Sequence, residues 1–175
     1  AAGGHWEAAL PAATAVELIH NFSLIHDDIQ DRSEFRRHRQ TVWKVWGEAL
    51  AINAGDALFS LARLSTQRLE LEPSRLLALH RILDEACLEL TKGQQRDLGF
   101  SRNGEGTLAK YVRMIEAKTA SLLAASAAAG ALVAGASAPR QQAFQAFGRQ
   151  LGLAFQILDD VLGVWGAPGQ TGKSV

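Results

Sequence analysis

An apolar stripe that repeats every three to four residues constrains the start of this chain most strongly, because a helix buries such a stripe along one side. Its members follow Pro11, a residue that the first turn of a helix tolerates; they are Ala15, Leu18, Ile19, Phe22, Ile25 and Ile29. The spacing predicts a long, largely buried helix. Residues 27–31, Asp-Asp-Ile-Gln-Asp, stand at its far end. A buried helix that ends in three carboxylates needs a reason for them.

The geometry of this pentapeptide indicates a metal site. In a helix Asp27 and Asp31 lie one turn apart with Asp28 beside them, and His20 falls on the same line. Two such charges about 6 Å apart repel by roughly 3 kcal/mol at an effective dielectric constant of about 20. Oxygen ligands suit Mg²⁺, which takes one or two carboxylates and completes its shell with water and phosphate oxygens. The alternative is an acidic helix end that faces water.

A second acidic pair repeats the pattern near the other end of the chain. Asp159 and Asp160 follow the apolar run of residues 153–158, and Gln156 lies one turn before them. Residues three and four apart are neighbours on a helix surface, so these three side chains can address one ligand. Both acidic pairs are predicted at the C-terminal ends of helices, where the helix dipole disfavours negative charge.

The remainder of the chain is also predicted to be helical, with little of the β-branched alternation that makes strands. The predicted order is a basic loop over residues 32–46, helices over 48–71 and 73–98, and turns over 99–106. Thr107 is the predicted N-cap of a continuous or slightly broken rod that runs through Lys118 and ends at Pro139. A last helix from about residue 140 is predicted to carry its apolar side chains inward: Phe144, Phe147, Leu151 and Phe155. Residues 1–175 are expected to form one domain.

Composition excludes several classes of protein. The 175 residues are 47% hydrophobic, which is enough for one sizeable core. Lysine plus arginine equals aspartate plus glutamate at 18 each, so no basic field predicts nucleic-acid binding. The single cysteine, Cys87, excludes an internal disulfide and is interpreted as an apolar filler. Residues 119–139 carry no charge, but their small side chains predict an interior helix instead of a membrane span. With no signal-peptide pattern at the start, a cytoplasmic location is expected.

In combination, these motifs resemble the trans-prenyltransferase family, the polyprenyl diphosphate synthases. The matching stretches follow the family's order: Glu17-Leu18-Ile19-His20 through Asp31, Arg36-Arg37, Gly55-Asp56, Gly93-Gln94 with Asp97, Lys118-Thr119, Phe155-Gln156 with Asp159-Asp160, and Gly172-Lys173. The resemblance implies an all-α, isoprenoid-synthase-type helical bundle around a central apolar cavity. It also implies a fragment that lacks the family's N- and C-terminal segments, and a homodimer.

The resemblance implies a reaction as well: an allylic diphosphate ionises, isopentenyl diphosphate attacks the allylic cation, and a proton is lost. Asp27 and Asp31 would hold two Mg²⁺ ions with support from Asp28. Asp159, with Asp160 beside it, would hold a third Mg²⁺ ion. Three cationic side chains would bind the same diphosphate: Lys118, Arg36 and Lys173.

The acceptor, isopentenyl diphosphate, would contact Arg37 and His20, since the arginine fork binds phosphate through two hydrogen bonds. The alternatives are a solvated arginine loop and an ordinary helix histidine. Four further polar residues are interpreted as substrate contacts, or else as groups that only satisfy one another inside a polar cavity: Gln94, Asp97, Thr119 and Gln156.

Two positions depart from the family pattern. His38 stands where the family usually has glycine, which permits backbone angles that histidine adopts only at a cost. Gly163 stands where many members have the third aspartate of the second motif. In the family the first aspartate of that motif is the main metal ligand, so the second departure matters less.

Chain length of the product is predicted from the residues just before the first aspartates. Phe22 lies five residues before Asp27, about 7.5 Å along the helix axis, and would form the floor of the tunnel for the growing chain. With Ser23 small beside it, the pattern resembles geranylgeranyl synthases, which predicts a C20 product. The alternative is that Phe22 belongs only to the buried stripe.

Three rival functions are weighed against a synthase. The Glu-x-x-His of Glu17 and His20 is typical of di-iron four-helix proteins, but the sequence has no second copy. A terpene cyclase shares the first acidic motif, although the paired arginines and Lys118-Thr119 favour chain elongation. A non-catalytic partner subunit of a prenyl synthase is the third, and the retained acidic and basic residues argue against it.

Overall fold

The computed structural model describes residues 2–103 and 106–165. Its helices, after a 3₁₀ turn at Trp6–Ala9, are α1 (Leu10–Gln30), α2 (Val42–Trp46), α3 (Glu48–Thr66), α4 (Pro73–Asn103), α5 (Leu108–Ile115), a π turn (Glu116–Ala120), α6 (Ser121–Val133) and α7 (Ala138–Trp165). Two short antiparallel strands, β1 (Phe35–Arg36) and β2 (Arg39–Gln40), lie between α1 and α2. The all-α prediction is confirmed, apart from this hairpin.

The core forms where α1, α3, α4 and α6 meet. Ile19 of α1 and Leu79 and Leu83 of α4 are fully buried, and each contributes roughly 1.5–3 kcal/mol through the hydrophobic effect. Ala15, on the predicted stripe of α1, is also fully buried, and small residues of this kind let the helices approach closely. Cys87 lies in the same cluster as a buried free thiol whose pKa is raised by burial, which confirms its interpretation as an apolar filler.

Several helix ends differ from the predicted ones. α3 ends at Thr66 and not at residue 71. α4 continues through the predicted turns to Asn103, since an isolated glycine such as Gly99 costs a helix only about 1 kcal/mol. Pro139 does not end the alanine-rich rod, which stops at Val133. It is the second residue of α7, where a proline removes no helical hydrogen bond.

Other predicted features are confirmed. Thr107 is the N-cap of α5, because its hydroxyl accepts a hydrogen bond from the backbone N–H of Lys110 at 3.2 Å. The uncharged segment forms a buried helix, α6, whose small side chains pack against its neighbours. Pro11 lies in the first turn of α1, as predicted.

The predicted basic loop is more ordered than the sequence indicated. The two-residue turn between β1 and β2 is formed by Arg37 and His38, with φ of 50° and 62°. Positive φ at both residues is the type I′ arrangement, which suits the twist of a hairpin and is easiest for glycine. Trp43 of α2 stabilises the loop by donating to the carbonyl of Ser33 at 2.8 Å. His38 therefore occupies a conformation that glycine would adopt at lower cost.

The predicted inward face of α7 is wrong for Phe147 and Leu151, whereas Phe144 is half-buried and Phe155 borders an open cleft. Phe147, Leu151 and Phe155 are 63%, 48% and 57% exposed in the described part of the chain. The helix instead buries its glycine face, Gly148 and Gly152, against α6 and the end of the π turn. Small residues occupy this contact because they let the two helix backbones approach closely. α7 also continues past Asp159 to Trp165, so the second acidic pair precedes the helix end by more than a turn.

One helical segment among the described residues, Trp6–Gln30, is long and apolar enough by length and composition to cross a membrane. It is not the uncharged segment that the sequence singled out. A core helix of a soluble protein passes the same test, so one such segment is weak evidence. The absence of a membrane span stays a prediction.

Candidate active site

An open cleft of about 2130 Å³ is bounded by α1, α4, the π turn, α7 and the hairpin. We call Asp27, Asp28 and Asp31 the first acidic cluster, and Asp159 and Asp160 the second. All of these except Asp28 line the cleft. The predicted central apolar cavity corresponds to its hydrophobic wall, which includes Phe22, Leu90, Leu122, Leu123 and Phe155.

Arg36 is held by the first acidic cluster. Its Nε and Nη2 lie 2.9 and 2.8 Å from Oδ1 of Asp28, and its Nη2 lies 3.5 Å from Oδ2 of Asp27. Asp28 is only 4% exposed, and a buried carboxylate of this kind needs such a partner. The structure therefore does not bring Asp28 into the cleft; it places Asp28 behind Arg36, whose guanidinium lines the cleft from β1.

Lys118 connects the first acidic cluster to α4. Its Nζ donates to Oδ2 of Asp97 at 2.6 Å and lies 3.2 Å from Oδ1 of Asp27. Burial lowers the pKa of Lys118, but the hydrogen bond to Asp97 and the charge of Asp27 outweigh burial and raise it above the ordinary value. The ammonium therefore stays charged through the neutral range.

The Asp31 carboxyl is in an unfavourable electrostatic position. Burial raises its pKa, as does the negative charge of Asp27, while Lys118 lowers it. The amide of Gln94 faces this carboxyl and lowers its pKa to a smaller extent, although neither amide atom of Gln94 meets hydrogen-bond geometry with any partner in the structure. Gln94 is 9% exposed and lines the cleft. A buried amide without partners has unused donors and acceptors for a ligand.

The second acidic cluster is held by neutral donors. Asp160 accepts hydrogen bonds from the Tyr111 hydroxyl at 2.6 Å and from Nε2 of Gln156 at 2.9 Å. The Oε1 of Gln156 accepts in turn from the Thr119 hydroxyl at 2.7 Å. Burial and the contact with Asp160 raise the pKa of Tyr111 to about 12, so the phenol keeps its proton. Asp159 lines the cleft beside this chain of hydrogen bonds.

Tyr111 is a site residue that the sequence analysis missed. It lies 49 residues from Asp160, and no local pattern connects the two. Its place on α5 is set by the helix start at Thr107, which is visible in the sequence, but its partner is set only by the packing of α5 against α7.

The predicted acceptor contacts lie in the same cleft. His20 is lined up with Asp27 and Asp31 on α1, and Arg37 is at the hairpin turn. Burial lowers the pKa of His20, Glu17 raises it, and the charges of Arg37 and Arg36 lower it further. The imidazole is therefore neutral at pH 7, mainly because it is half-buried. The last predicted cation, Lys173, lies outside the described residues.

Phe22 has both of the positions proposed for it. It lines the cleft and also packs against the core. Its ring makes edge contacts with Phe59 at 5.2 Å and with His26 at 5.8 Å between centroids. Ser23 beside it also lines the cleft, and its hydroxyl donates to the backbone carbonyl of His20 at 2.7 Å. The aromatic contacts fix the orientation of Phe22 in the cleft wall.

The donor set fits Mg²⁺ that is bound together with an anionic ligand. Among the described residues, no three His, Cys, Asp or Glu side chains converge on a complete metal site. Asp27, Asp31 and Asp159 nevertheless face one cleft, and burial together with the charge of Asp27 raises the pKa of Asp31, so a cation beside this carboxylate would be stabilising. Such carboxylates suit an ion that takes one or two of them and completes its shell with phosphate oxygens and water.

A helical bundle with two acidic clusters and an apolar wall in one cleft defines an isoprenoid-synthase type of protein. The model of the polyprenyl synthetase family matches residues 2–175, and the chain belongs to that family.

The chain is similar to two enzymes of Mycobacterium tuberculosis. It is 49% identical to a (2E,6E)-farnesyl diphosphate synthase over 100% of this chain and 48% of that protein. It is 46% identical to a geranylgeranyl diphosphate synthase over 100% of this chain and 50% of that protein. Among solved structures, a polyprenyl synthetase from Streptomyces coelicolor A3(2) is 42% identical with a TM-score of 0.93, over 99% of this chain and 51% of that one. The chain spans about half the length of the curated relatives it matches.

Proposed function

We propose that the full-length protein is a short-chain trans-prenyltransferase that condenses an allylic diphosphate with isopentenyl diphosphate. The observation that carries this proposal is the meeting of two acidic clusters, cationic side chains and an apolar wall in one cleft. A charged diphosphate and a hydrocarbon tail need both kinds of surface. Relatives named for farnesyl and geranylgeranyl diphosphate synthesis support the same reaction class.

The difficult step is departure of the diphosphate, because negative charge accumulates on its oxygens as the allylic bond breaks. Asp27, Asp31 and Asp159 would hold Mg²⁺, three ions by family resemblance, which neutralises that charge when bound. Lys118 and Arg36 would then donate to the same oxygens. Interactions that strengthen as the charge develops lower the barrier, whereas those equally strong in the bound substrate do not.

The acceptor diphosphate would bind without metal at His20 and Arg37. Both line the cleft on the side of α1 and the hairpin, where the guanidinium groups of Arg36 and Arg37 supply positive charge for an anion. In the full-length protein the apolar wall would shield the allylic cation from water, so that the double bond of the acceptor is the nucleophile that attacks it.

A C20 product is proposed from the position of Phe22. Its ring is fixed by Phe59 and His26, about 7.5 Å along α1 from Asp27, where it would block a longer tail. Product analysis of Phe22→Ala in the full-length protein tests this. Longer prenyl chains are expected, while an unchanged product distribution with lower thermal stability would make Phe22 ordinary core. Phe59→Leu is the matched control for loss of aromatic packing alone.

The reaction class is tested by supplying the full-length protein with Mg²⁺, an allylic diphosphate and isopentenyl diphosphate. A longer prenyl diphosphate is expected as the product. Free hydrocarbon would indicate a terpene cyclase, and activity only with an added synthase subunit would indicate a non-catalytic partner. The homodimer and the cytoplasmic location stay predictions from the resemblance and from the sequence.

A further inference from the structure

The π turn interrupts the rod of α5 and α6 at the residues that supply Lys118 and Thr119 to the cleft. The backbone N–H of Ser121 donates to the carbonyl of Glu116, five residues back, and its hydroxyl donates to the carbonyl of Ala117 at 2.6 Å. Such turns are rare, and they change the direction in which neighbouring side chains project. Besides the Ser121 hydroxyl, the helices packed against the turn can stabilise it.

α4 contacts Lys118 at two positions that lie one helical turn apart. A Cβ at Gly93 would lie 2.3 Å from the backbone N and 2.5 Å from the Cα of Lys118, distances that no side chain permits. One turn later on α4, Asp97 accepts the hydrogen bond from Nζ of Lys118 at 2.6 Å. The close approach at Gly93 and the ion pair at Asp97 thus act on the same residue.

α7 repeats this arrangement on the other side of the turn. A Cβ at Gly152 would lie 2.6 Å from the Cα of Ala120 and 2.9 Å from its Cβ. One turn later, Gln156 accepts from the Thr119 hydroxyl and donates to Asp160. Close approach is not a general feature of helical glycines here, because a Cβ at Gly130 would have nothing within 4 Å.

We propose that Gly93 and Gly152 are positioning residues for the transferase reaction: they allow α4 and α7 to hold the π turn between them and so fix Lys118 and Thr119 in the cleft. This inference rests on the proposed function. An ammonium group on a long flexible side chain stabilises a departing diphosphate only if it is already in place, and a misplacement of ~1 Å can cost ~10²-fold in rate.

The test is a double-mutant cycle in the full-length protein, read by calorimetry with inorganic diphosphate and Mg²⁺. Gly93→Ala is expected to weaken diphosphate binding by about tenfold or more, and the control Gly130→Ala by less than about twofold. In the background of Lys118→Ala, Gly93→Ala should change the affinity by less than about twofold, because its effect acts through Lys118. Equal effects in both backgrounds would overturn the proposal.

Steady-state kinetics give a second readout that general destabilisation would not produce. Gly93→Ala should lower kcat and leave the KM for isopentenyl diphosphate unchanged, since His20 and Arg37 belong to α1 and the hairpin and not to the helices that hold the π turn. Parallel changes in kcat and this KM would contradict a positioning role.

A crystal structure of Gly93→Ala tests this inference separately from the proposed function, because the position of Lys118 can be seen whether or not the protein is an active transferase. Nζ of Lys118 is expected to lie beyond about 3.5 Å from the Asp97 carboxylate; an unchanged distance would overturn the inference. If the unsubstituted protein binds no diphosphate, the proposed function fails and this distance still decides the inference.

If Gly93→Ala does not fold, Gly152→Ala takes its place, with Thr119→Val as the second substitution of the cycle. Loss of folding in both would show that the glycines serve packing alone, which also overturns the proposal.

Discussion

The two acidic clusters compensate their negative charge in opposite ways. At the first, Arg36 and Lys118 place cationic groups against Asp28 and Asp27. At the second, the donors to Asp160 among the described residues are neutral: the Tyr111 hydroxyl and the Gln156 amide. Within residues 2–103 and 106–165, no basic side chain forms an ion pair with Asp159 or Asp160.

This difference has a consequence for ligand binding. A metal ion at Asp27 repels the neighbouring cations Lys118 and Arg36, which keep Asp97 and Asp28 as partners, and an added anion beside the metal relieves this repulsion. A bound diphosphate is such an anion. The first cluster therefore couples metal binding to diphosphate binding, whereas the described partners that a cation would displace from Asp160 are neutral hydrogen-bond donors.

The largest effect is expected for Asp27→Ala, because Asp27 contacts both cations of the first cluster. Turnover in the full-length protein should fall by about 10³-fold, and Mg²⁺ should no longer improve diphosphate binding. Glu70→Ala, which removes an exposed carboxylate outside the cleft, is the control for a change of charge alone. Binding that keeps its Mg²⁺ dependence in Asp27→Ala would show that the first cluster is not the metal site.

Lys118→Ala should have the next largest effect, a loss of about 10²-fold in turnover, since it removes a charged donor to the leaving group. It should also tighten the binding of Mg²⁺ alone, because a competitor for Asp27 has gone. Lys92→Ala, which breaks the exposed pair with Glu89, is the matched control. An unchanged rate at saturating substrate would make Lys118 structural.

Tyr111→Phe addresses the second cluster and should lower turnover by about tenfold, a typical cost for losing a group that orients a metal ligand or its neighbour. Only the hydroxyl that donates to Asp160 is removed. Because no cation is released, the affinity for Mg²⁺ alone should not rise, in contrast to Lys118→Ala. Tighter Mg²⁺ binding in Tyr111→Phe would remove the distinction between the clusters.

The smallest effect is expected for His38→Gly, in the hairpin that presents Arg36 to the first cluster. Glycine adopts the φ of 62° without the cost that histidine bears, so the free energy of unfolding should rise by about 0.5–1 kcal/mol. Arg39→Gly, in the adjacent strand without positive φ, should instead destabilise the protein. Thermal denaturation compares the two, and a destabilised His38→Gly would contradict the account of this turn.

The sequence predicted the helices and the line of His20, Asp27 and Asp31, because helical periodicity is local. It also predicted that both acidic clusters share one cleft, through the family resemblance. The π turn was not predictable from residues 116–120, because those residues do not reveal the close approaches of α4 and α7 at Gly93 and Gly152 that accompany it.

Other errors have the same origin. The apolar periodicity of α7 correctly predicts a helix. Which face of that helix is buried depends on its neighbour α6, which packs against Gly148 and Gly152 and leaves Phe147 exposed. Two-residue strands carry no periodic signal, so the hairpin could not be distinguished from a loop. Asp27 and Asp28 are equivalent in the sequence motif. Only the structure shows that Asp27 lines the cleft while Asp28 is buried against Arg36.

Calorimetry of the full-length protein tests the coupling at the first acidic cluster most directly. Inorganic diphosphate is titrated with Mg²⁺ present and with chelator, and Mg²⁺ is titrated with and without diphosphate. Mutual enhancement of about 100-fold or more is predicted, equal in both directions because linkage is reciprocal. A diphosphate affinity that chelator leaves unchanged would contradict the account.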